Sequence, residues 1–436
     1  MSTASVAPSY RALFAEPVLR RLAVADAFAR LPQGMVSITV LLVVAEHASM
    51  AVAGLAVASY TLGQAVTGPV RGRLADRHGL VPVAAACGTG YALALLALLA
   101  GVLAGAPAWL LIGAAALAGL VNPPLSPGLR SLWSAHAGAG LAPTAFALDA
   151  AVMNLGYIAG PVLASALATA IAPAAALGLL LVLTGAATVI IGRPPHRPQP
   201  AAGRRQAVSG PVPPTPVPPT PVPRRPVPRR PGPLRSGVLR RLMLTAALVN
   251  AALSASEIAL TGYVRHHHAL WASGPLLAEV AIGGILGSLL LGARFGTGTR
   301  SGTRTRSGTR TRSLLALLVG YAGGLALLTA AGLDAPLLAV AAPLAGFCLG
   351  PALAALFGQA AGAAPPGGGT ETQAWLNSIM NGGGAGGAAL ASAVLSGTGP
   401  GRPVLALALS CALAVAAATC AAIGPGDSEA RAHPVR

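Results

Sequence analysis

Two ionisable residues lie one helical turn apart inside the first long apolar segment of the sequence. Asp26 and Arg30 are four positions apart in "VLRRLAVADAFAR", and in an α-helix this spacing puts both side chains on one face, where they can pair. Charge inside an apolar segment is costly unless it is paired or hydrated. Arg30 lies roughly 15 Å from the start of its helix. We therefore expect either a cavity-facing site or a structural ion pair that neutralises itself.

Other apolar segments carry isolated polar side chains that are further candidates for substrate or ion binding. Glu257 and Glu279 could each take up a proton, because burial disfavours a charged carboxylate, or they could stay hydrated near a segment end. Asp149 is a candidate of the same kind, or a first-turn acid that stabilises the start of a helix. Asn154 and Asn381 could bind a ligand or tie helices together by hydrogen bonds.

No residue pattern indicates catalysis or a resident cofactor. The stretch His266–His268 has no acid or cysteine beside it, and three adjacent imidazoles cannot all reach one metal ion from a regular element. The four cysteines lie within apolar segments without a CxxC spacing, which is typical of small buried residues. The chain contains no Lys, so it has no phosphate-binding GxxxxGK loop. We predict no metal site, no cofactor and no enzymatic activity.

The composition indicates a membrane protein. Of 436 residues, 54% are hydrophobic and 9% charged, whereas soluble domains carry roughly a quarter charged residues. The net charge of +18 would suit nucleic acid, but aromatic residues make up only 4%, which leaves few platforms for stacking bases. We expect a lipid bilayer as the partner, and no nucleic acid.

Twelve apolar segments are long enough to cross a bilayer, which takes about 20 residues each. The first six are approximately 20–44, 51–71, 80–104, 108–130, 143–169 and 172–192, and the second six are 240–263, 274–295, 314–333, 336–360, 373–396 and 402–424. The sequence therefore predicts an all-α membrane protein with twelve transmembrane helices. An even number of spans places both termini on the same side.

The arginines predict which side that is. All 29 basic residues are Arg, and with the N-terminus inside, all but three of them fall on the cytoplasmic face. The exceptions are Arg30, Arg265 and Arg402. We predict a bacterial inner-membrane protein with both termini in the cytoplasm.

A proline-rich stretch divides the chain. Residues 193–236 include "PVPPTPVPPTPVPRRPVPRRP", which cannot form a membrane helix because proline lacks a backbone N–H. This stretch predicts an extended cytoplasmic linker, either a solvated spacer or an arginine-rich contact with lipid headgroups. The predicted units are a bundle at 1–192, the linker at 193–236, a second bundle at 237–424 and a tail at 425–436.

The two bundles repeat each other in sequence. "VLRRL" occurs at Val18–Leu22 and again at Val238–Leu242, and "MNLGYIAGPVLASA" at Met153–Ala166 aligns with "MNGGGAGGAALASA" at Met380–Ala393. Six helices in each copy give both copies the same orientation. The pattern predicts two parallel six-helix repeats related by an axis along the membrane normal.

Two motifs resemble signatures of the major facilitator superfamily. The first, "GRLADRHG", follows the second segment and resembles the loop signature of the family, without its two trailing basic residues. The second, "GYIAGPVLAS" in the fifth segment, resembles its antiporter signature. The matching positions are Gly72, Leu74, Asp76, Arg77 and Gly79 in the loop, and Gly156, Gly160 and Pro161 in the fifth segment. "RLPQGM", "PPLSPGLRSLW" and "GTETQAWLNS" are similar to segments of actinobacterial members.

Asp76 is the lone acid of the predicted cytoplasmic loop. It can pair with an arginine of that face or sit at the positive N-terminus of the eleventh helix near Glu371–Trp375. The arginines predicted on that face are Arg71, Arg73, Arg77 and Arg130. The resemblance implies that this contact latches the cytoplasmic side while the outside is open; the alternative is an ordinary solvated turn. Gly72 and Gly79 would permit a tight connection.

The fifth-segment motif predicts close helix packing. Gly156 and Gly160 share a face and let a neighbouring helix approach, while Pro161 permits a bend. The matching part of the eleventh segment is rich in glycine. We expect the fifth and eleventh helices to form flexible contacts between the two halves; plain close packing is the alternative.

The resemblance implies a secondary transporter working by alternating access. The antiporter-like motif favours proton-coupled export of a small organic molecule, although Arg130, at the predicted foot of the fourth helix, is not the membrane-embedded arginine of many drug exporters. An uptake permease for a sugar or other metabolite and a non-transporting membrane sensor or scaffold are the alternatives.

Overall fold

The chain folds almost entirely into α-helices. The computed structural model describes residues 6–192, 232–266, 273–296, 306–331, 335–395 and 401–423, and within these ranges no strand is present. The first half contains α1 (Val6–Ala15), α2 (Pro17–Ala45), α3 (Met50–His78), α4 (Leu80–Leu103), α5 (Ala108–Leu120), α6 (Leu125–His136), α7 (Gly138–Ala170) and α8 (Pro173–Gly192). The second half contains α9 (Gly237–His266), α10 (Ser273–Gly296), α11 (Arg306–Ala331), α12 (Ala335–Ala363), α13 (Gly369–Leu395) and α14 (Arg402–Ala422), preceded by a 3₁₀ turn at Pro233–Arg235.

Each predicted segment coincides with a helix, and the fourth coincides with the pair α5 and α6. Nine helical stretches of the described chain are long and apolar enough to cross a membrane, with α5 and α6 together forming one of them. The three others that match predicted segments, α3, α10 and α13, fall outside that set. The all-helical membrane fold is confirmed, and the count of twelve spans stays a prediction.

The fourth predicted segment is not one continuous helix ending at Arg130. Helix α5 ends at Leu120, and α6 runs from Leu125 to His136. Pro123 and Pro124 lie in the break and have no N–H for a helical hydrogen bond. The helical path therefore continues past Arg130, and that residue lies inside a helix instead of at its foot.

The helices pack in a pattern that occurs twice. The pairs α2–α7, α2–α8 and α3–α5 of the first half are repeated as α9–α13, α9–α14 and α10–α12 in the second half. The two halves meet through α3 against α13 and α7 against α10. The boundaries drawn at 192 and 236 stay predictions, since residues 193–231 and 424–436 lie outside the described chain.

Glycines make the repeated pairs possible. Gly119 of α5 lies against the carbonyl of Tyr60 in α3, and Gly346 of α12 lies in the same way against the carbonyl of Val280 in α10. A Cβ at either position would collide with that backbone. Both helix pairs therefore depend on a residue without a side chain where the axes come closest.

Candidate functional site

A cavity of about 120 Å³, lined by both polar and apolar side chains, lies where the two halves meet. Its charged and amide lining includes Arg30, Arg71, Arg130 and Asn154 from the first half, with Asn377 and Asn381 from the second half. A single water molecule needs about 10–15 Å³ of such space. The cavity therefore has room for a ligand the size of roughly ten water molecules, and it touches both halves.

Four buried ionic residues form a network beside this cavity. Arg30 Nε lies 3.2 Å from Asp26 Oδ1, and Arg30 Nη2 also donates to Asp149 Oδ1. Arg130 Nε donates to Asp149 Oδ2 at 2.8 Å. All four side chains are no more than 2% exposed. The predicted Asp26–Arg30 pair forms, and it belongs to a larger, electrically neutral cluster.

The interpretation of Asp149 as a first-turn acid is wrong. Helix α7 begins at Gly138, so Asp149 lies about three turns inside it. The helix begins ahead of residue 143, where the predicted fifth segment starts. Asp149 thereby reaches the depth of Arg30 and accepts hydrogen bonds from two guanidinium groups.

Arg130 connects the network to the second half. Its Nη1 donates to Asn377 Oδ1 of α13 at 2.9 Å, and its guanidinium lies 3.3 Å from the ring centroid of Phe357 in α12. Its predicted position at the foot of the fourth helix is wrong, because α6 extends to His136 and Arg130 is buried within it. Asn377 was not singled out from the sequence, yet its four-residue spacing from Asn381 could have indicated a shared polar face.

Asp26 is the least satisfied carboxylate of the cluster. Its Oδ2 atom is buried and has no hydrogen-bond partner among the described residues. Asp149, in contrast, accepts from Arg30 and Arg130 with separate oxygens. Because a protonated carboxyl adds a donor and gives up a charge, Asp26 can change its protonation state with the smaller loss of interactions.

A second polar cluster joins α3 to α13. Asp76 Oδ1 accepts from the backbone N–H of Thr370 at 2.9 Å, and Oδ2 accepts from that of Glu371 at 2.8 Å. A carboxylate at a helix N-terminus satisfies free N–H groups and complements the helix dipole. Arg73 adds a 2.6 Å bond from Nη2 to Glu371 Oε1. Of the two partners that the sequence left open for Asp76, the structure shows the start of the eleventh helix.

The glycines of the loop motif have different positions from those expected. Gly72 does not form the turn: a Cβ there would lie 2.8 Å from Ala374 Cβ and 2.9 Å from Glu371 Cα, so it is the contact point with α13. Gly79 alone makes the connection, at φ +93°, a conformation that glycine adopts without strain. Leu74 is 40% exposed, and Arg77 is also exposed.

Arg71 was predicted among the arginines of the cytoplasmic face, but its side chain is buried in the structure. Its side chain is 7% exposed and lines the cavity. Its Nη2 donates to the backbone carbonyl of Gln64 at 2.9 Å, two turns back along α3. The sequence could not show this, because Arg71 adjoins Gly72 and Arg73 in a motif that reads as a loop.

The glycines of α7 hold the first half together instead of contacting the second. A Cβ on Gly156 would lie 2.9 Å from the carbonyl oxygen of Arg30, and one on Gly160 would lie 2.7 Å from the amide nitrogen of Met35. Both neighbours belong to α2. Helix α7 continues through Pro161. Helices α7 and α13 do contact the other half, as expected, but not through Gly156 and Gly160, whose face is turned toward α2.

The second half uses its matching glycines in the same way. Gly383 and Gly387 of α13 lie against the carbonyls of Ala247 and Ala251 in α9. The contact between halves uses other faces, where Asn154 of α7 lies beside Gly284 of α10. A glycine-rich helix face therefore marks close packing within each half.

The remaining predicted residues divide between the cavity and its surroundings. Asn154 donates to the carbonyl of Ala150 in its own helix at 3.0 Å, and both Asn154 and Asn381 line the cavity. Glu257 and Glu279 belong to α9 and α10 and are not among the cavity lining residues. Of the predicted histidine stretch, only position 266 lies within the described chain, and no group of three or more His, Cys, Asp or Glu there could hold a metal ion.

Comparison with known proteins assigns the family. The family model of the Major Facilitator Superfamily matches residues 22–388. The chain belongs to the major facilitator superfamily. It is therefore a multi-pass membrane transporter, and its helices form the fold of that superfamily. A comparison with curated protein sequences finds no significant match.

Solved superfamily structures share the fold at low sequence identity. One is the human organic anion transporter MFSD10 (TETRAN), with a TM-score of 0.67 and 15% identity over 93% of this chain and 100% of that chain. Another is a bacterial homologue of the iron transporter ferroportin in an outward-facing state, with a TM-score of 0.67 and 13% identity over 93% of this chain and 97% of that chain. At these identities the likeness shows the fold alone.

Proposed function

We propose that this superfamily member is a secondary transporter that exports a small organic molecule in exchange for protons. The observation that carries the proposal is the cavity between the halves, adjoined by the buried cluster of Asp26, Arg30, Asp149 and Arg130. Ionisable groups inside apolar helices are costly to keep and are typical of substrate or proton pathways. Arg30, Asn154 and Asn381 are the proposed substrate contacts.

The cluster around Asp76 supports alternating access. It joins α3 of one half to α13 of the other through two backbone hydrogen bonds and the Arg73–Glu371 pair. The Arg73 side chain is 49% exposed, and such exposed pairs contribute about 0–1 kcal/mol. A helix cap adds about 0.5–2 kcal/mol. Interactions of this size hold one end together and can still break during a transport cycle.

Asp26 is the proposed proton-binding group. Protonation would remove one of the two carboxylate partners of Arg30, while Asp149 would keep both guanidinium partners. Arg30 could then turn part of its hydrogen-bonding capacity toward the cavity that it lines. Arg130 would transmit the change, because it contacts Asp149 and also Asn377 of the second half. Glu257 and Glu279 are the remaining proton-binding candidates.

The proposed direction of transport is export, and the proposed location is a bacterial inner membrane. Export is supported by the likeness of "GYIAGPVLAS" to the antiporter signature. An organic substrate is supported by the shared fold of the human organic anion transporter. The positive-inside distribution of arginine favours a bacterial inner membrane with both termini in the cytoplasm.

Transport into proteoliposomes with an imposed pH gradient tests this function. A panel of radiolabelled small organic acids, amines and neutral compounds is measured with the wild-type chain, Asp26→Asn and Glu46→Gln, which changes an exposed carboxylate at the end of the same helix. We expect gradient-driven accumulation of some compounds by wild type and Glu46→Gln, and its loss in Asp26→Asn.

Two outcomes would contradict the proposal. Equal transport with and without the gradient would show that transport is not coupled to protons and would favour a permease that works by facilitated diffusion. A folded wild-type chain that moves no compound of the panel under any gradient would favour the sensor or scaffold alternative.

A further inference from the structure

The side chain of Arg71 points away from the nearer end of its helix. Arg71 lies seven residues before the end of α3 at His78, a distance of about 10 Å along the axis. A long basic side chain at that depth normally reaches toward the nearest polar boundary. Instead, its guanidinium reaches back to the carbonyl of Gln64 at 2.9 Å and is 7% exposed. The local structure thus directs a cation inward.

Arg71 has no acidic partner in the described chain. Arg30 and Arg130 are bound to Asp149, and Arg30 also to Asp26. Arg71 makes no salt bridge to any described residue, and its Nε atom is buried without a hydrogen-bond partner. A guanidinium has five N–H donors, and burying a charge without compensation is costly. A buried cation without an acidic partner therefore points to a ligand as its counter-ion.

The cavity has the composition of an anion site. Three arginines line it, and no Asp or Glu is among its lining residues. The carboxylates of the neutral cluster balance Arg30 and Arg130, so the charge of Arg71 is left over. The amide groups of Gln64 and Asn122 can supply further donors, and Leu253 and Met380 line the cavity with apolar side chains.

We propose that Arg71 is a substrate-binding residue that binds an oxyanion, either a carboxylate or a phosphate-type group, so that the transported molecule is a small organic anion. This inference rests on the proposed transport function. Two parallel N–H donors of a guanidinium match two oxygens of either group. The adjacent apolar wall takes a body of a few carbon atoms, within a cavity the size of about ten water molecules. Because Arg71 lies next to Gly72, at the contact between α3 and α13, a bound oxyanion also lies beside the interface between the halves.

Thermal unfolding of the full-length chain in detergent tests the charge requirement directly. The probes are benzoate, phenylphosphonate and benzamide, an uncharged molecule of almost the same shape as benzoate, at constant ionic strength set with sodium chloride. We expect benzoate or phenylphosphonate to raise the unfolding midpoint in a concentration-dependent manner. Benzamide should not. Comparison of the two acids distinguishes a carboxylate site from a phosphate-type site.

Variants at Arg71 test whether this residue binds the oxyanion. Arg71→Gln should weaken binding of the oxyanion about tenfold or more, the loss expected when a charge-assisted hydrogen bond is removed. Arg71→Lys keeps the charge without the planar fork and should lie between wild type and Arg71→Gln. Arg20→Gln makes the same chemical change at an exposed position of α2 and should bind as wild type does.

The inference is overturned if benzoate protects no better than benzamide, if no probe protects, or if Arg71→Gln binds oxyanions as tightly as wild type. If Arg71→Gln does not fold, the acid–amide comparison in the wild type and the Arg71→Lys variant decide. If the chain transports neutral compounds and Arg71→Gln does not affect this transport, the proposed transport function holds and the proposal of an anionic substrate is wrong. If oxyanions bind in a manner that depends on Arg71 but no compound is transported, the anion site holds and the proposed transport function is wrong.

Discussion

The two halves repeat one helix pattern, but among the described residues the charged side chains that are no more than 2% exposed all belong to the first half. At the sequence offsets that align the repeats, Asp26 and Arg30 correspond to Ala246 and Asn250, and Asp149 corresponds to Leu376. Ala246 and Leu376 are completely buried, as Asp26 and Asp149 are. The same packing therefore forms with apolar residues at these positions. The charged cluster is not a requirement of the fold, which supports a role in function.

Arg130 and the residue aligned with it, Phe357, show this difference between the halves most clearly. Arg130 aligns with Phe357, and the two side chains touch each other across the interface between the halves, with the guanidinium 3.3 Å from the ring centroid. One repeat presents a cation where the other presents an aromatic face, and these attract each other. The two aligned positions therefore form a complementary contact between the halves.

The largest expected effect comes from replacing Asp149 of the first half by leucine, the residue at the aligned position of the second half. Asp149→Leu leaves the guanidiniums of Arg30 and Arg130 without their shared carboxylate, and breaking a buried ion pair on one side costs about 3–5 kcal/mol. We expect a strongly lowered free energy of unfolding in detergent, measured by denaturant titration.

A compensated variant sharpens this comparison. Replacing all four charged residues by their counterparts, as Asp26→Ala, Arg30→Asn, Arg130→Phe and Asp149→Leu together, removes the unpaired charges. Much of the lost stability should return while transport stays absent. If the fourfold variant is as unstable as Asp149→Leu, the cluster serves the fold and the functional asymmetry is wrong.

A smaller effect is expected at glycines that the two halves share. Gly156 of α7 and Gly383 of α13 align, and each lies against a carbonyl of the first helix of its own half. Gly156→Val and Gly383→Val should each lower the free energy of unfolding by about 1–3 kcal/mol, the usual cost of overpacking. Gly54→Val, at a position with no neighbouring atom within 4 Å of an added Cβ, is the control. A large difference between the two variants would show that the halves do not pack alike.

The smallest effect is expected at the contact that only one half possesses. Asp76 aligns with Gly296. The α3–α13 contact therefore has a carboxylate cap, whereas the α10–α7 contact has no acid at the aligned position. Asp76→Asn should weaken the contact by about 1 kcal/mol through loss of the charge at the start of α13. We expect Ser378→Cys, in a background without the native cysteines, to react roughly fivefold faster with a thiol reagent added from the side of Asp76. Unchanged reactivity would mean that Asp76 does not hold this end together.

Local sequence patterns predicted the helices and part of the site. Runs of about 20 apolar residues located the helices from α2 to α14, with α5 and α6 taken as one segment. The four-residue spacing of Asp26 and Arg30 indicated that they could pair. The break at Pro123 and Pro124 was visible in the sequence, yet the apolar residues around it indicated one span. Consequently the extension of α6, and with it the burial of Arg130, was missed.

The partners of the polar groups could not be predicted in this way. Asp149 is 119 positions from Arg30, and helices such as α5 and α8 are apolar on nearly all faces, so the sequence gives little indication of how each helix is rotated. The rotation of α7 decides that Gly156 faces α2 and that Asp149 reaches the arginines.

By itself, the sequence determined that this chain is a membrane protein built from a repeated set of helices, because hydrophobic length and internal repetition are properties of contiguous residues. Only the tertiary structure decided that Asp149 lies between two arginines, that Asp76 caps α13, and that Arg71 faces a cavity without an acid. Those contacts join residues from different helices. Their formation depends on helix rotation and depth, which are set by close packing of glycine and alanine faces throughout the bundle.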